Sequence, residues 1–531
     1  MNTRSAHVDS FARDHLPPRS QWPELRFELP ELRYPERLNC ASVLIDEAIA
    51  EGHGERPAVL AEPGGLSYRE LLADANRIAN VLAAARLVPG NRVLLRGFNG
   101  PMLIAAWLAV MKAGAIAVTT MPLLRAKELT AILAKGRVSH ALCDHRIAGE
   151  LKLAAAAVGS PLDLIEWGNG DLEARMAAAA IEYRNVDTAS DDICLLAFTS
   201  GTTGQPKACV HFHRDVLAMA DVVARHLLRT GPDDIYTGSP PLGFTFGLGA
   251  LLVFPLRFRA ATALVEGSSA ESLLAAVRRW RATCLFTAPT AYRTLLARLT
   301  DEDIASLQQC VSAGEPLPLA ISDAWYERTG IRLIDGIGAT EMIHIFISAR
   351  GEAIRPGATG KALPGYEACL LDDAGKALPL GHTGRLAVRG PTGCRYLDDE
   401  RQRSYVQDGW NVTGDIYRTD ADGYFWFVSR ADDMIVSAGY NIAGPEVEAI
   451  VATHPAVREC AVVGATDPER GMVVKAFVVI NEEHAAGPAL VRDIQDFVKA
   501  RIAPYKYPRV IEFIAALPRT ATGKVQRSLL R

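Results

Sequence analysis

From Ala58 onward, short apolar runs alternate with helical segments. Arg92-Val-Leu-Leu-Arg96 and Ala115-Ile-Ala-Val-Thr119 read as buried strands, with Tyr68 to Ala85 and Met102 to Ala113 as helices around them. The alanine-rich stretches Leu153 to Val158 and Met176 to Ala180 also read as helix. This strand–helix alternation runs to about residue 350 and predicts an α/β fold, with mostly parallel sheets flanked by helices. From Gly360 to Tyr424 the segments shorten and Gly, Pro, Asp and Thr become frequent, which predicts a β-rich subdomain. Beyond Arg430 the pattern is a small α+β unit. Val447 to Ala452 and Ala489 to Arg501 read as helices, Glu459 to Val463 and Val474 to Ile480 as strands. The main boundary falls at Arg430–Asp433, giving a large N-terminal domain over 1–431 and a small C-terminal domain over 432–531. Residues 1–55, rich in Pro and Arg, read as an extended arm with one short helix.

A chain of 531 residues is too long for one core, in keeping with two or more domains. The apolar stretch Met102 to Met121 is broken by Lys112 and Gly114, and only about ten apolar residues precede the lysine where a membrane span needs roughly 20. It reads as a buried helix followed by a buried strand, with no membrane association. The first nine residues hold no apolar core for a signal peptide. Hydrophobic residues at 49% and charged residues at 22% are ordinary for a soluble globular protein. A net charge of −4 carries no electrostatic footprint for nucleic acid. The nine cysteines stand singly from Cys40 to Cys460, without a Cys-x-x-Cys pair. That suggests neither a zinc site nor a disulfide framework, and fits a reducing cytoplasm.

The most informative string is Thr199-Ser200-Gly201-Thr202-Thr203-Gly204-Gln205-Pro206-Lys207. The apolar run Ile193 to Phe198 leads in, and Ala208 to Val210 follows. Two buried strands joined by such a loop can fold backbone N–H groups around an anion. Glycines allow the turn, hydroxyls add donors, and the lysine adds a charge. Phosphate is the natural guest, although the spacing is not the Walker pattern. Further strings follow in order: Ser312-Ala-Gly314-Glu315-Pro316, Asp335-Gly336-Ile337-Gly338-Ala-Thr340-Glu341, Thr413-Gly-Asp415, Arg430-Ala-Asp432-Asp-Met-Ile435, Ser437-Ala438-Gly439-Tyr440 and Pro518-Arg-Thr-Ala-Thr-Gly-Lys524.

Taken together, these strings resemble the signature motifs of the AMP-forming, adenylate-forming superfamily of acyl-CoA synthetases, peptide-synthetase adenylation domains and luciferases. The resemblance covers essentially the whole chain. It implies adenylation of a carboxylate by ATP, followed by transfer to a thiol. Thr199, Ser200, Gly201, Thr202, Thr203, Gly204 and Lys207 would hold the β- and γ-phosphates. Thr340 and Glu341 would meet the α-phosphate and Mg²⁺, for which a carboxylate and a hydroxyl are suitable oxygen donors. Gly314, Glu315, Pro316, Asp335, Gly336 and Ile337 would form the adenine slot. Asp415, with Arg430 beside it, would take the ribose hydroxyls. Lys524 matches the family's catalytic lysine. Asp432 matches its hinge, so the C-terminal domain is expected to be mobile, bringing Lys524 to the site in one pose and Ser437, Ala438, Gly439 and Tyr440 on the coenzyme A side in the other.

The string Asp335 to Ser348 resembles aryl-CoA ligases of the benzoate type, which places Thr245, Phe246, Gly338 and His344 at the acid pocket. Thr245 and Phe246 stand where benzoate ligases carry a small residue and a tyrosine. The arm, Asp9 to Pro18 and Gln21 to Leu25, resembles the 2-aminobenzoate (anthranilate) branch. His211 and His213 read as packed core or helix-start histidines. The resulting expectation is an aryl-CoA ligase using ATP, Mg²⁺ and coenzyme A on 2-aminobenzoate. The competing readings are a benzoate–CoA ligase, a stand-alone enzyme loading a separate carrier protein, and an inactive binding scaffold. Either a monomer or a homodimer fits.

Overall fold

The computed structural model describes residues 4–62, 64–199, 206–267, 269–437, 440–467, 471–502, 506–520 and 523–531. It divides into two compact units, Met1–Ala368 with Val388–Asn411, and Cys369–Ala387 with Val412–Arg531.

The first unit is built on two sheets flanked by helices, the expected α/β architecture. One sheet has the order Asp163–Trp167, His140–Asp144, Arg92–Arg96, Ile116–Thr120, Ile193–Thr199, Lys207–Phe212. All its pairings are parallel except the last. The other runs Lys361–Ala362, Ile345–Ser348, Leu333–Gly338, Gln309–Ala313, Cys284–Thr287, Ile235–Gly238, Ala261–Ala263, Pro57–Leu60, Leu66–Ser67. Its central strands are parallel and its two ends antiparallel. Parallel strands covered on both faces read as continuous apolar runs, and Arg92–Arg96 and Ile116–Thr120 are buried throughout.

Local signals explain the helices. Tyr68–Ala84 starts at a capping box in which Ser67 Oγ takes the Glu70 N–H and the Glu70 carboxylate takes the Ser67 N–H at 2.8 Å. Pro101 opens Pro101–Lys112, where its missing N–H loses nothing. Lys112 is buried at the end of that helix, and its ammonium bonds both Asp46 carboxylate oxygens at 2.7 Å. Burial still lowers its pKa, against the pull of Asp46. Among the described residues, no helix is long and apolar enough to cross a membrane.

The arm differs from the expected extended strap with one short helix. Phe11–Asp14 is helical, but so are Ser42–Asp46 and Glu47–Ala50. Cys40, Ala41, Leu44, Ile45 and Ala48 are fully buried, and this buried stripe favours a helix over an extended strap. The fold also gathers cysteines that are far apart in sequence. The ligating atoms of Cys40, Cys194 and His213 lie within 4.8 Å of one another, and Cys40 Sγ sits 3.2 Å from His213 Nδ1.

The second unit holds the terminal α+β fold. Its sheet has the order Tyr440–Ala443, Met434–Ser437, Gly471–Ile480, Val457–Asp467, with Val510–Phe513 parallel to Gly471–Ile480. Helices Gly444–Val451 and Pro488–Lys499 bury Val447, Val451, Ile494 and Val498 in a core with Ile435, Ile442, Val474 and Val478. This unit takes in Cys369–Ala387 and resumes at Val412, ahead of residue 432, and Asp415–Thr419 pairs with Phe425–Arg430 as a hairpin within it.

Candidate active site

The hairpin around the phosphate loop forms as the sequence suggests. Ile193–Thr199 and Lys207–Phe212 pair antiparallel, and the last matched pair before the loop is Thr199 with Lys207. Ser200, Gly201, Thr202, Thr203 and Gly204 lie outside the described residues. Two contacts tie this hairpin to the Thr340–Met342 turn. His211 Nε2 donates to the Thr340 carbonyl at 2.8 Å. Burial lowers the His211 pKa to about 4, so the ring is neutral. Lys207 Nζ donates to the Tyr396 hydroxyl at 3.2 Å, and that hydroxyl donates to Glu341 Oε1. Burial, reinforced by the Glu341 charge, raises the Tyr396 pKa and keeps the phenol protonated.

Just after Glu341 the backbone is strained. Ile343 has φ +66°, which for a β-branched residue costs roughly 1–3 kcal/mol. Its side chain is fully buried, and its N–H returns to the Thr340 carbonyl at 3.1 Å. This kink turns the chain between Glu341 and His344.

The adenine-slot segments come together because their strands are parallel neighbours. Ser312 pairs with Asp335 and Ala313 with Gly336, so Gly314, Glu315 and Pro316 leave the sheet beside Gly336 and Ile337. The carboxyl ends of adjacent parallel strands are the usual ligand crevice of α/β sheets. Gly314 turns there with φ +93°, and Glu315 accepts from Thr290 Oγ1 at 3.1 Å. Asp335 keeps some contact with solvent, yet protein packs closely around its carboxyl and burial pushes its pKa up to about 7.

The acid-pocket residues also meet. The Phe246 ring lies 5.6 Å from His344 and 5.6 Å from Phe286, and Phe254 packs edge-on to His344 at 4.6 Å. Two glycines also pack closely against the histidine. A Cβ on Gly338 would come 2.8 Å from the His344 carbonyl oxygen, and one on Gly249 would come 2.5 Å from His344 Cδ2. Burial lowers the His344 pKa to about 3. Its Nε2 lies 3.4 Å from the Phe246 carbonyl oxygen, and its buried Nδ1 has no partner. Thr245 is buried at the start of the Thr245–Leu248 turn. Phe254, Phe286 and Tyr396 escaped sequence reasoning, since an isolated aromatic carries no spacing signal. The Cys209–Tyr396 bridge that places Tyr396 joins segments far apart in the chain.

In the second unit, Asp415 and Arg430 face each other across the hairpin, with Arg430 Nη1 2.9 Å from Asp415 Oδ1. Gly414, at φ +79°, turns the chain beside them. Asp432 lies in the short turn Ala431–Asp433. Ser437 and Tyr440 close a tight hairpin, and Ala438 and Gly439 between them lie outside the described residues. Lys524 is exposed on a turn in which its N–H bonds Thr520 Oγ1 at 3.1 Å and its carbonyl takes the Thr520 N–H at 2.7 Å. Gly523 supplies φ +87° in the same turn.

Comparison with known proteins gives a consistent result. The model of the AMP-binding enzyme family matches residues 46–395, and that of the AMP-binding enzyme C-terminal domain matches residues 446–524. The benzoate–CoA ligase of Thauera aromatica is 33% identical over 515 residues, 94% of this chain and 97% of that protein. An anthranilate CoA ligase solved with anthranoyl-AMP has a TM-score of 0.88 at 34% identity, over 94% of this chain and 98% of that one. A benzoate CoA ligase from Burkholderia xenovorans LB400 has a TM-score of 0.85 at 32% identity, over 93% of this chain and 100% of that one.

Proposed function

The chain belongs to the AMP-binding enzyme family, and we propose that it is an aryl-CoA ligase whose preferred acid is 2-aminobenzoate. The first step joins a carboxylate oxygen of the acid to the α-phosphorus of ATP and breaks the bond to pyrophosphate. In the second, the thiol sulfur of coenzyme A attacks the acyl carbon of the aryl-adenylate. AMP leaves and the thiol proton is released.

Two anions meet in the first step, so the site must supply positive charge where negative charge builds up. Thr199, Lys207 and the loop between them would hold the β- and γ-phosphates. Asp335 and the Gly314–Pro316 segment would take adenine, with the Asp335 carboxyl accepting from the exocyclic amine. Asp415, oriented by Arg430, would accept from the ribose. Thr340 and Glu341 offer hard oxygen donors that fit Mg²⁺, whose charge would offset that of the phosphate oxygens. Lys524 would bridge carboxylate and phosphate oxygens. Movement at Asp432 would then exchange it for the Ser437–Tyr440 hairpin. On this reading the domain boundary that matters for catalysis is 431/432.

The observation that carries the acid is His344. It is a neutral, buried ring packed among Phe246, Phe254 and two glycines, with one nitrogen lacking a partner. A flat ring suits such walls. An amino group ortho to the carboxylate is a donor, and an unpaired buried acceptor costs about 1–3 kcal/mol. The likeness to an anthranilate CoA ligase supports the same choice. The test is kcat/KM with coenzyme A for 2-aminobenzoate, benzoate, 4-hydroxybenzoate and octanoate. We expect 2-aminobenzoate first and octanoate last. Benzoate ahead by about tenfold would overturn the anthranilate choice, and octanoate ahead would overturn the aryl pocket.

A further inference from the structure

We propose that Tyr396 is a positioning residue that holds Lys207 and Glu341 apart and aimed at the nucleotide. This rests on the reading of Lys207 as a phosphate ligand and Glu341 as the metal-side carboxylate. The Tyr396 hydroxyl accepts from Lys207 Nζ at 3.2 Å and donates to Glu341 Oε1. One phenol therefore satisfies an ammonium and a carboxylate together while standing between them. Without it, opposite charges at this range in a partly buried site would close on each other, and each would neutralise the group it is needed to leave free.

The phenol is suited to this because its backbone is fixed on both sides. The 395–397 segment runs along the loop hairpin. Val210 N–H donates to the Arg395 carbonyl at 2.8 Å, and Leu397 N–H to the Ala208 carbonyl at 2.9 Å. Tyr396 N–H bonds Gln402 Oε1 at 2.8 Å, and the Tyr405 ring packs edge-on to the phenol at 5.8 Å. One residue earlier, fully buried Arg395 bonds the Asp215 carboxylate, and its guanidinium lies 4.2 Å over the Phe212 ring. Phe212 ends the strand that begins at Lys207. The segment that carries the phenol is thus clamped to the strand that carries the lysine. A ring held this way resists displacement more than a surface side chain would.

Tyr396→Phe removes only the hydroxyl and keeps the packing. Charge-assisted hydrogen bonds of this kind set an expected fall in ATP–pyrophosphate exchange of roughly 10- to 100-fold. The loss should appear in kcat and in the apparent affinity for Mg²⁺–ATP. The KM of the aromatic acid should move less than about twofold. Thioester formation from synthetic aryl-adenylate should be spared. Glu341→Gln, assayed alongside, separates the outcomes. If Glu341→Gln keeps exchange, the reading of Glu341 falls and this proposal with it. If Glu341→Gln loses exchange while Tyr396→Phe keeps it, only the positioning role is overturned. Equal loss in both half-reactions with a lowered Tm would reduce Tyr396 to packing and also overturn it. A Tyr396→Phe/Glu341→Gln double variant losing no more than Glu341→Gln alone would support the coupling.

Discussion

Two lysines of this chain occupy opposite settings. Lys207 begins a strand whose other residues are buried, and its ammonium is held by the Tyr396 hydroxyl. Lys524 stands exposed on a turn held by backbone and Thr520 contacts. The first is suited to a ligand group that stays in place, the second to a group that arrives and leaves. The proposed reaction attacks the α-phosphorus in its first step and the acyl carbon in its second, so a fixed and a movable cation would each have a use. On that proposal the fixed one would serve nucleotide binding and the movable one adenylation alone.

The strongest test of this contrast is Lys524→Ala. Removing one charged donor from a preorganised site costs about 10²–10³ in rate, and we expect that loss in ATP–pyrophosphate exchange. Thioester formation from supplied aryl-adenylate should stay within about threefold of the parent, because that step does not call on Lys524 in the two-pose scheme. Parallel loss in both would erase the distinction between the two lysines. Asp432→Pro probes the same contrast from the other side. Proline fixes φ near −65° and would hinder rotation at the expected hinge, so thioester formation should fall roughly tenfold while exchange persists. Retention of both activities would move the hinge elsewhere.

A smaller effect tests how prebuilt the first unit is. Asp335 has its pKa raised to about 7 by burial, so its ionised form is disfavoured in the folded state. The stability this contributes is complete below the unfolded carboxyl value near 3.8 and is lost as pH rises through about 7. Asp335→Asn should therefore gain Tm relative to the parent as pH goes from 5 to 8, by roughly a few degrees. The KM for ATP should rise in the variant at every pH. A Tm difference independent of pH would show that the Asp335 carboxyl is not held in a desolvated recess.

Much of this was legible in the sequence for a physical reason. On the proposed reading, phosphate, ribose and adenine would be gripped by backbone and short side chains within single loops. Strings such as Asp335 to Glu341 therefore carry their chemistry locally. The alternation of apolar runs and helices likewise gave the α/β layers. What stayed hidden needs contacts between distant segments. Tyr396 reaches Glu341 only because residues 395–397 zip onto the strand Lys207–Phe212. Phe254 and Phe286 reach His344 and Phe246 from separate elements. The helical run Ser42–Ala50 was masked by the Pro and Arg of the surrounding arm, although its buried stripe was present. The division into packed units also departs from the motif order, since Val412–Arg430, which carries the Asp415–Arg430 hairpin, falls in the second unit.

The two glycines against His344 set limits on how this recess can drift. At Gly249 and Gly338, any other residue would place a Cβ within 2.8 Å of the His344 ring or carbonyl. On the proposed reading, a change of acid could not come from that side without dislodging the histidine. If the proposed acid pocket is right, trimming Phe246 or Phe286 would open room for a substituted ring, and a library randomised there would sample substrates, whereas one randomised at the glycines would sample mostly dislodged histidines.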